Sequence, residues 1–251
     1  MAARTIGKPD LNRLRVRFEK DGRLAFLGHI EVLNTVMRSA RRAQLPFSVG
    51  NGFARRMRVQ FCQALPVGAA STCEYYDLYL TERIDAREAL ERLKAATPPA
   101  LQPLDAAYVG GRYPALEAWL TRALWHVRLY GQGEGLSAAS LDEALKSLQA
   151  IGSIDFMRGD TPRTIGLDTT LVGWEALDAP EFGDMTTISL TLDTRSSNLG
   201  SLRPAVLLEA AFKQPELAGC LLDSMQVLRM GQWHENEDGS FVGPLDPTLL
   251  V

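Results

Sequence analysis

The sequence is poor in cysteine and histidine, with three of each in 251 residues. The cysteines, Cys62, Cys73 and Cys220, are odd in number and form no CxxC pair, which argues against a disulfide framework or a zinc site. A CxxxCxxC motif for an iron–sulfur cluster is also missing, so this chain does not itself carry a radical-generating cluster. We expect the cysteines to be small buried hydrophobes, and we expect neither a metal nor a cofactor.

Phosphate-binding loops and long apolar runs are absent as well. Neither GxxxxGK[ST] nor GxGxxG occurs, and the glycine-rich stretch Gly131–Gly135 has a different spacing. No apolar run approaches the roughly 18 residues that a membrane span needs. Met1–Leu11 has no apolar region typical of a secretory signal. The expectation is a cytoplasmic protein without a membrane segment.

Charge is distributed unevenly along the chain. Residues 1–60 contain thirteen basic and four acidic side chains, a net charge of +9, whereas the remaining residues contain 14 basic and 26 acidic side chains, a net charge of −12. Such an asymmetry favours a localised anion-binding surface. The alternative is intramolecular, with the acidic part of the chain docked onto the basic part.

Hydrophobic periodicity in the first part of the chain predicts the order β-α-β-β-α-β. Apolar residues alternate in the strands and recur every three to four residues in the helices, where Asp85 is the expected N-cap of the second helix. The predicted elements are Leu14–Phe18, Ile30–Ala43, Arg56–Phe61, Glu74–Leu80, Ala86–Ala96 and Leu101–Val109. This order is the split-βαβ or ferredoxin-like arrangement, with helices on one face of an antiparallel sheet.

The pattern restarts after Gly110-Gly111. Predicted elements of the second part are Leu124–Tyr130, a helix Ser140–Ala150 capped by Ser140, Thr186–Thr194, Pro204–Phe212 and Met225–Trp233. Residues 151–185 are hard to interpret and contain a weak strand near Thr169–Trp174. The prediction is therefore an α+β chain of two ferredoxin-like halves, residues 12–110 and 119–234, followed by an extended C-terminal tail, residues 235–251.

Strand alternation places arginines on the face of the first sheet that points away from its helices. Arginine pairs with phosphate in a two-pronged geometry, and tyrosine rings stack on unpaired bases, so this face is a predicted platform for RNA or another polyanion. The candidate nucleic-acid-binding residues are Arg15, Arg17, Arg41, Arg42, Arg55, Arg56, Arg58, Tyr75 and Tyr79. The alternative is that the second half covers this face and its carboxylates pair with the arginines.

The first half contains five distinctive blocks: Gly22–Glu31, Arg41–Pro46, Gly52-Phe53, Leu65–Gly68 and Glu74-Tyr75. In order and spacing these blocks resemble an uncharacterised family of radical SAM-linked proteins, a domain of unknown function. The resemblance covers residues 12–110 and extends more loosely to residue 233. It implies a partner, because members of this family are fused to, or encoded beside, a radical SAM protein with a cobalamin-binding domain. Genes for ribosomes and RNA processing are often neighbours, which implies an RNA-related accessory role.

The chain departs from the family pattern at two places. The family usually has Ser-His-Leu-Asp where this chain has Gly28-His29-Ile30-Glu31, which retains a carboxylate beside a histidine. After Gly52-Phe53 the family usually continues Asn-Pro-His-Pro-Lys, whereas here Ala54–Arg58 adds positive charge and loses the histidine. Anion binding is thereby favoured over any chemistry that depends on that histidine.

Three functions follow from these observations. We expect a non-catalytic accessory protein that binds RNA or another polyanion and works with a radical SAM protein. One alternative is a protein-interaction subunit whose basic surface docks an acidic partner. The other is an RNA-processing enzyme that uses His29, with Glu31 as the second weak catalytic candidate. Residues i and i+2 of a helix do not face each other, so a structural role of His29 and Glu31 at the helix start is favoured.

Overall fold

The computed structural model describes residues 11–50, 55–111, 113–197 and 200–251. The chain has a mixed α+β fold dominated by one large, mostly antiparallel sheet. Its helices are α1 His29–Arg42, α2 Ala86–Ala96, α3 Leu116–Trp119, α4 Ala138–Ile151, α5 Leu167–Thr170 and α6 Pro204–Ala211. Its strands are β1 Asn12–Lys20, β2 Val59–Phe61, β3 Ala69–Leu80, β4 Pro103–Tyr108, β5 Arg122–Gln132, β6 Ser153–Arg158, β7 Thr161–Gly166, β8 Leu171–Phe182, β9 Met185–Ser197, β10 Gly200–Ser201, β11 Leu221–Glu235 and β12 Phe241–Val242.

The two halves of the chain share one strand arrangement. In the first half the order across the sheet is β4-β1-β3-β2, and each neighbouring pair is antiparallel. In the second half the order is β11-β5-β9-β8, again with antiparallel neighbours. The second half also contains an inserted hairpin, β6-β7, which forms a separate two-stranded sheet.

A short parallel pairing joins the two halves into a continuous sheet. Val227, Leu228 and Arg229 of β11 pair with Ala69, Ala70 and Ser71 of β3. The prediction of separate antiparallel sheets therefore missed this joint. It lies where β3 begins, five residues before the predicted strand Glu74–Leu80, so the pairing residues were not recognised as part of a strand.

The first core lies between the helices α1 and α2 and one face of the sheet. Leu14, Val16 and Phe18 of β1 are buried against these helices, as their alternation predicts. The helix α2 has the predicted bounds, and its N-cap Asp85 accepts a hydrogen bond from the Glu88 backbone amide.

The second core packs α4 and α6 on the sheet of the second half. Leu141, Leu145 and Leu148 of α4 are buried there, and each such side chain contributes about 1.5–3 kcal/mol relative to an exposed one. The N-cap is Ser137 and not Ser140, because the Ser137 hydroxyl accepts the hydrogen bond from the Ser140 amide. The helix therefore begins two residues earlier than predicted.

The other face of the first sheet is covered, contrary to prediction. The helix α3 contacts β2 and β3 there, and Trp119 and Leu249 are buried in a third cluster with Tyr75. The prediction that helices occupy only one face is thus wrong for α3. The C-terminal tail also differs from the prediction: residues 241 and 242 pair with β11, and Leu249 packs into the cluster.

The observed strands differ from the prediction in residues 151–185 and at the start of β2. Residues 151–185 contain the β6-β7 hairpin, the single turn α5 and the long strand β8, where only a weak strand was predicted. Residues 56–58 are not part of β2: Met57 bridges Val49, and the Arg58 amide donates to the Ser48 carbonyl. The motif residues Gly52 and Phe53 lie outside the described residues.

Candidate nucleic-acid interface

Arg15 lies in the interior of the protein. Its side chain is 1% exposed, and its Nε atom donates to Asp77 Oδ1 at 2.7 Å. Its Nη1 atom donates to the Pro244 carbonyl oxygen, and the guanidinium carbon lies 5.6 Å from the centre of the Trp119 ring. The alternation prediction put Arg15 on the correct face, but the prediction that this face is open is wrong, because α3 and the C-terminal segment cover it.

The predicted tyrosines are also engaged within the protein. Tyr75 is 7% exposed, and burial raises the pKa of its hydroxyl well above the ordinary value. Tyr79 is half-buried, and its hydroxyl donates to Gln60 Oε1. Arg17 is half-buried and its Nε atom donates to the Thr72 carbonyl oxygen. Tyr75 is inaccessible, and Tyr79 and Arg17 are partly buried. The sheet therefore offers no open face on which bases could stack.

Six arginines remain at the surface at one end of the first half. Five of them are exposed and the sixth, Arg58, is half-buried. We call this group the basic patch: Arg38, Arg41, Arg42, Arg55, Arg56 and Arg58. Within the described part of the chain none of the six forms an ion pair. Their charge is therefore free to meet an external anion.

Backbone pairing brings the two parts of the basic patch together. Arg41, near the C-terminal end of α1, lies with its guanidinium carbon 5.9 Å from the centre of the Phe47 ring. The strand-like segment that follows Phe47 then pairs with the second group, since the Gly50 amide donates to the Arg56 carbonyl oxygen at 2.8 Å. Cations are also favoured at the C-terminal end of a helix by its dipole. Arg38 was not among the binding residues predicted from the sequence, although it lies three residues before Arg41 on the same helix.

His29 and Glu31 form the start of α1. The Glu31 carboxylate accepts a hydrogen bond from the Gly28 backbone amide at 2.8 Å, which satisfies one unpaired donor at the helix start. The His29 ring is exposed and packs edge-on against Phe61, with ring centres 5.5 Å apart. The structure does not bring the two side chains together as an acid–base pair.

A buried ion pair at the joint between the halves was missed by sequence reasoning. Arg229 on β11 donates to both carboxylate oxygens of Glu74 on β3, at 2.9 and 2.6 Å. Cys62 lies beside this pair with its Sγ atom 3.5 Å from Glu74, and burial raises the pKa of its thiol. Lys20 is also buried: its ammonium donates to the carbonyls of Ala25 and Leu27, and desolvation lowers its pKa. These charges hold the interior together and are not available to a ligand.

Two classes of site find no support in the residues that the structure describes. No group of three or more histidine, cysteine, aspartate or glutamate side chains is arranged to hold a metal ion among them. Across the same residues, each helix is too short or too polar to cross a membrane.

Solved structures similar to this chain share little of its sequence. An unknown protein from Galdieria sulphuraria is 11% identical, with 88% of this chain and 99% of that chain covered and a TM-score of 0.26. A DypB variant from Rhodococcus jostii RHA1 in complex with heme is 8% identical, with 88% and 92% covered and a TM-score of 0.22. A DypB variant in complex with manganese is 10% identical, with 89% and 94% covered and a TM-score of 0.21. Similarities at this level assign neither fold nor function to the chain.

No curated protein matches the chain. One family model does match, over residues 13–199, which is most of the chain and includes the basic patch, the buried ion pair of Arg15 with Asp77 and the inserted hairpin. That family carries no assigned activity. The chain belongs to the family described as "Uncharacterized protein conserved in bacteria (DUF2344)".

Proposed function

We propose that the chain is a non-catalytic accessory protein that binds RNA through the basic patch. The observation that supports this proposal is a group of six surface arginines without ion pairs in a chain whose net charge is −3. An acidic protein has many carboxylates that could neutralise these arginines. Because none of the six is neutralised in this way within the described residues, an external polyanion is favoured.

The expected binding mode is contact with the phosphate backbone. Guanidinium groups match phosphate geometry, whereas of the two tyrosines predicted to stack on bases, Tyr75 is buried and Tyr79 is half-buried. Binding of this kind is driven by counterion release, so it is tolerant of sequence and strongly dependent on salt. Single-stranded RNA is the polyanion we favour because of the RNA-related role that the family resemblance implies.

The partner in this proposal is a radical SAM protein with a cobalamin-binding domain. The resemblance of Gly22–Glu31 and the following blocks supports this assignment, and the matched family region contains all of those blocks. The chain would then present RNA to that enzyme. We further propose that each half is a ferredoxin-like unit; the shared strand orders β4-β1-β3-β2 and β11-β5-β9-β8 support it.

The test is fluorescence anisotropy with a fluorescein-labelled single-stranded RNA, titrated with the full chain at several salt concentrations. Each phosphate contact that is removed should reduce the slope of log affinity against log salt by about 0.7 for a single strand. The variant R55A/R56A should therefore lower the slope by about 1.4. The matched control is Arg128→Ala, which removes an exposed arginine from β5 in the second half.

Four results would decide against the proposal. Absence of RNA binding even at low salt would rule it out, as would equal losses of affinity in R55A/R56A and Arg128→Ala. Turnover of RNA that disappears in His29→Ala would favour the enzyme alternative instead. Recovery of an acidic protein partner without RNA, by an association that R55A/R56A abolishes, would favour the docking alternative.

A further inference from the structure

A second surface with unpaired arginines lies in a groove where the two halves meet. The groove has a volume of about 920 Å³, within the upper part of the range that small-molecule sites occupy. Its lining comes from the loop after β2, the segment around α3, the strand β5, the inserted β6-β7 hairpin, the end of β9, the strand β10, the start of α6 and the strand β11.

The register of the hairpin determines which of its side chains line the groove. Ile154 pairs with Ile165, and the next pair on the same face is Phe156 with Arg163. The two isoleucines are buried in the core of the second half and anchor the hairpin. Arg158 follows Phe156 on this face, and all three of Phe156, Arg158 and Arg163 line the groove.

Charge in the groove is predominantly positive. Arg158, Arg163 and Arg203 are exposed, and within the described chain none of them forms an ion pair or a side-chain hydrogen bond. Arg229 also lines the groove but is neutralised by Glu74. Glu117 supplies the one carboxylate among the described lining residues. Three guanidinium groups against one carboxylate favour a ligand with more than one negative charge.

The lining also includes an aromatic ring beside these charges. Phe156 is half-buried and lies directly across the hairpin from Arg163, so an apolar ring and a guanidinium share one wall. Aromatic faces stack on nucleobases, and arginines bind phosphates in a two-pronged geometry. A nucleotide combines both of these chemical groups.

We propose that the groove binds a nucleotide, with its phosphates on Arg158, Arg163 and Arg203 and its base against Phe156. The nucleotide is either a free nucleoside phosphate or the terminal nucleotide of a single strand, and the recognition chemistry is the same for both. This site is separate from the basic patch and does not depend on the function proposed for that patch.

The experiment is a titration of the full chain with N-methylanthraniloyl-ATP, followed by fluorescence. Arg163→Ala and Arg203→Ala should each raise the Kd at least about tenfold, as expected for the loss of a charge-assisted hydrogen bond to phosphate. Phe156→Leu should weaken binding of the nucleotide probe. It should leave the affinity for inorganic pyrophosphate, measured by displacement of the probe, unchanged. Arg128→Ala and R55A/R56A are the controls, and both should leave the Kd within about twofold, since neither touches the groove.

Competing ligands separate the two sources of the nucleotide. A 5′-phosphorylated oligoadenylate that displaces the probe better than ATP, and much better than its 5′-hydroxyl counterpart, identifies a strand end. Equal or better displacement by ATP identifies a free nucleotide, and either result supports the site. Failure of the probe, pyrophosphate and both oligonucleotides to bind at low salt would overturn the proposal. A Kd that is unchanged in both Arg163→Ala and Arg203→Ala would overturn it as well.

Discussion

Replacement of Asp77 by asparagine should strongly destabilise the protein. The Asp77 carboxylate is fully buried and receives hydrogen bonds from Arg13 Nε at 2.7 Å and from Arg15 Nε and Nη2 at 2.7 and 3.0 Å. An asparagine has the same shape, but it leaves two buried guanidinium groups without a counter-charge. Removal of one partner of a buried ion pair costs about 3–5 kcal/mol.

That cost corresponds to a fall in Tm of about 6–20 °C, because each kcal/mol shifts the Tm of a chain of this size by about 2–4 °C. The measurement is unfolding in urea and by heat, followed by circular dichroism. The control is Asp105→Asn, the same chemical change at an exposed position of β4 whose carboxylate bonds to the adjacent Ala106 amide. A stability loss for Asp77→Asn below about 1 kcal/mol, the scale of an exposed ion pair, would show that the buried guanidinium groups do not need this anion.

Three further outcomes are expected. The carboxylate of Glu235 is held by Arg195 and Arg122, and its pKa is lowered to about 2. It therefore contributes stability above pH 4.5 that is lost as the pH falls toward 2. Glu235→Gln should lower the free energy of unfolding by about 1–2 kcal/mol at pH 7, and the stabilities of the variant and the wild-type protein should converge at low pH. Identical stability of the two proteins between pH 7 and pH 3 would contradict this. Cys62, Cys73 and Cys220 are buried, and desolvation raises the pKa of Cys73 to about 11, so thiol reagents should label the native protein slowly and all three sites rapidly in denaturant. Fast stoichiometric labelling of the native chain would contradict it. Gly152 ends α4 with a φ of +84° in open space. Its replacement by alanine should lower the free energy of unfolding by about 1 kcal/mol, and its replacement by asparagine by less. Equal stability of both variants would show that backbone strain is not the cause.

Much of the fold could be predicted from local periodicity. The helix α2 and the strands β1 and β9 were found because their apolar spacing and caps are encoded within a few residues. The insert at residues 151–185 was not, since the strands of the β6-β7 hairpin are short, mix apolar with polar residues and are largely exposed. Local pattern carries little information about an element that is stabilised by packing against distant segments.

The candidate site was predicted only in part for the same reason. Alternation correctly put Arg15 on the face that points away from the helices, and the opposite charge of Asp77 in the paired strand was a visible signal for a buried ion pair. The covering segments come from residues 113–120 and 241–250, too far along the chain for any pattern to reveal. The surface position of Arg55 and Arg56, by contrast, is a local property of a loop.

The joint between β11 and β3 also has a consequence for the order in which the protein forms. Glu74 meets Arg229 only after 155 further residues have been added, and the same late strand covers one edge of β3. During synthesis the Glu74 carboxylate therefore stays in water, and this edge of β3 stays unpaired, until β11 has been made. Maturation of the first half is in this way made to depend on completion of the second.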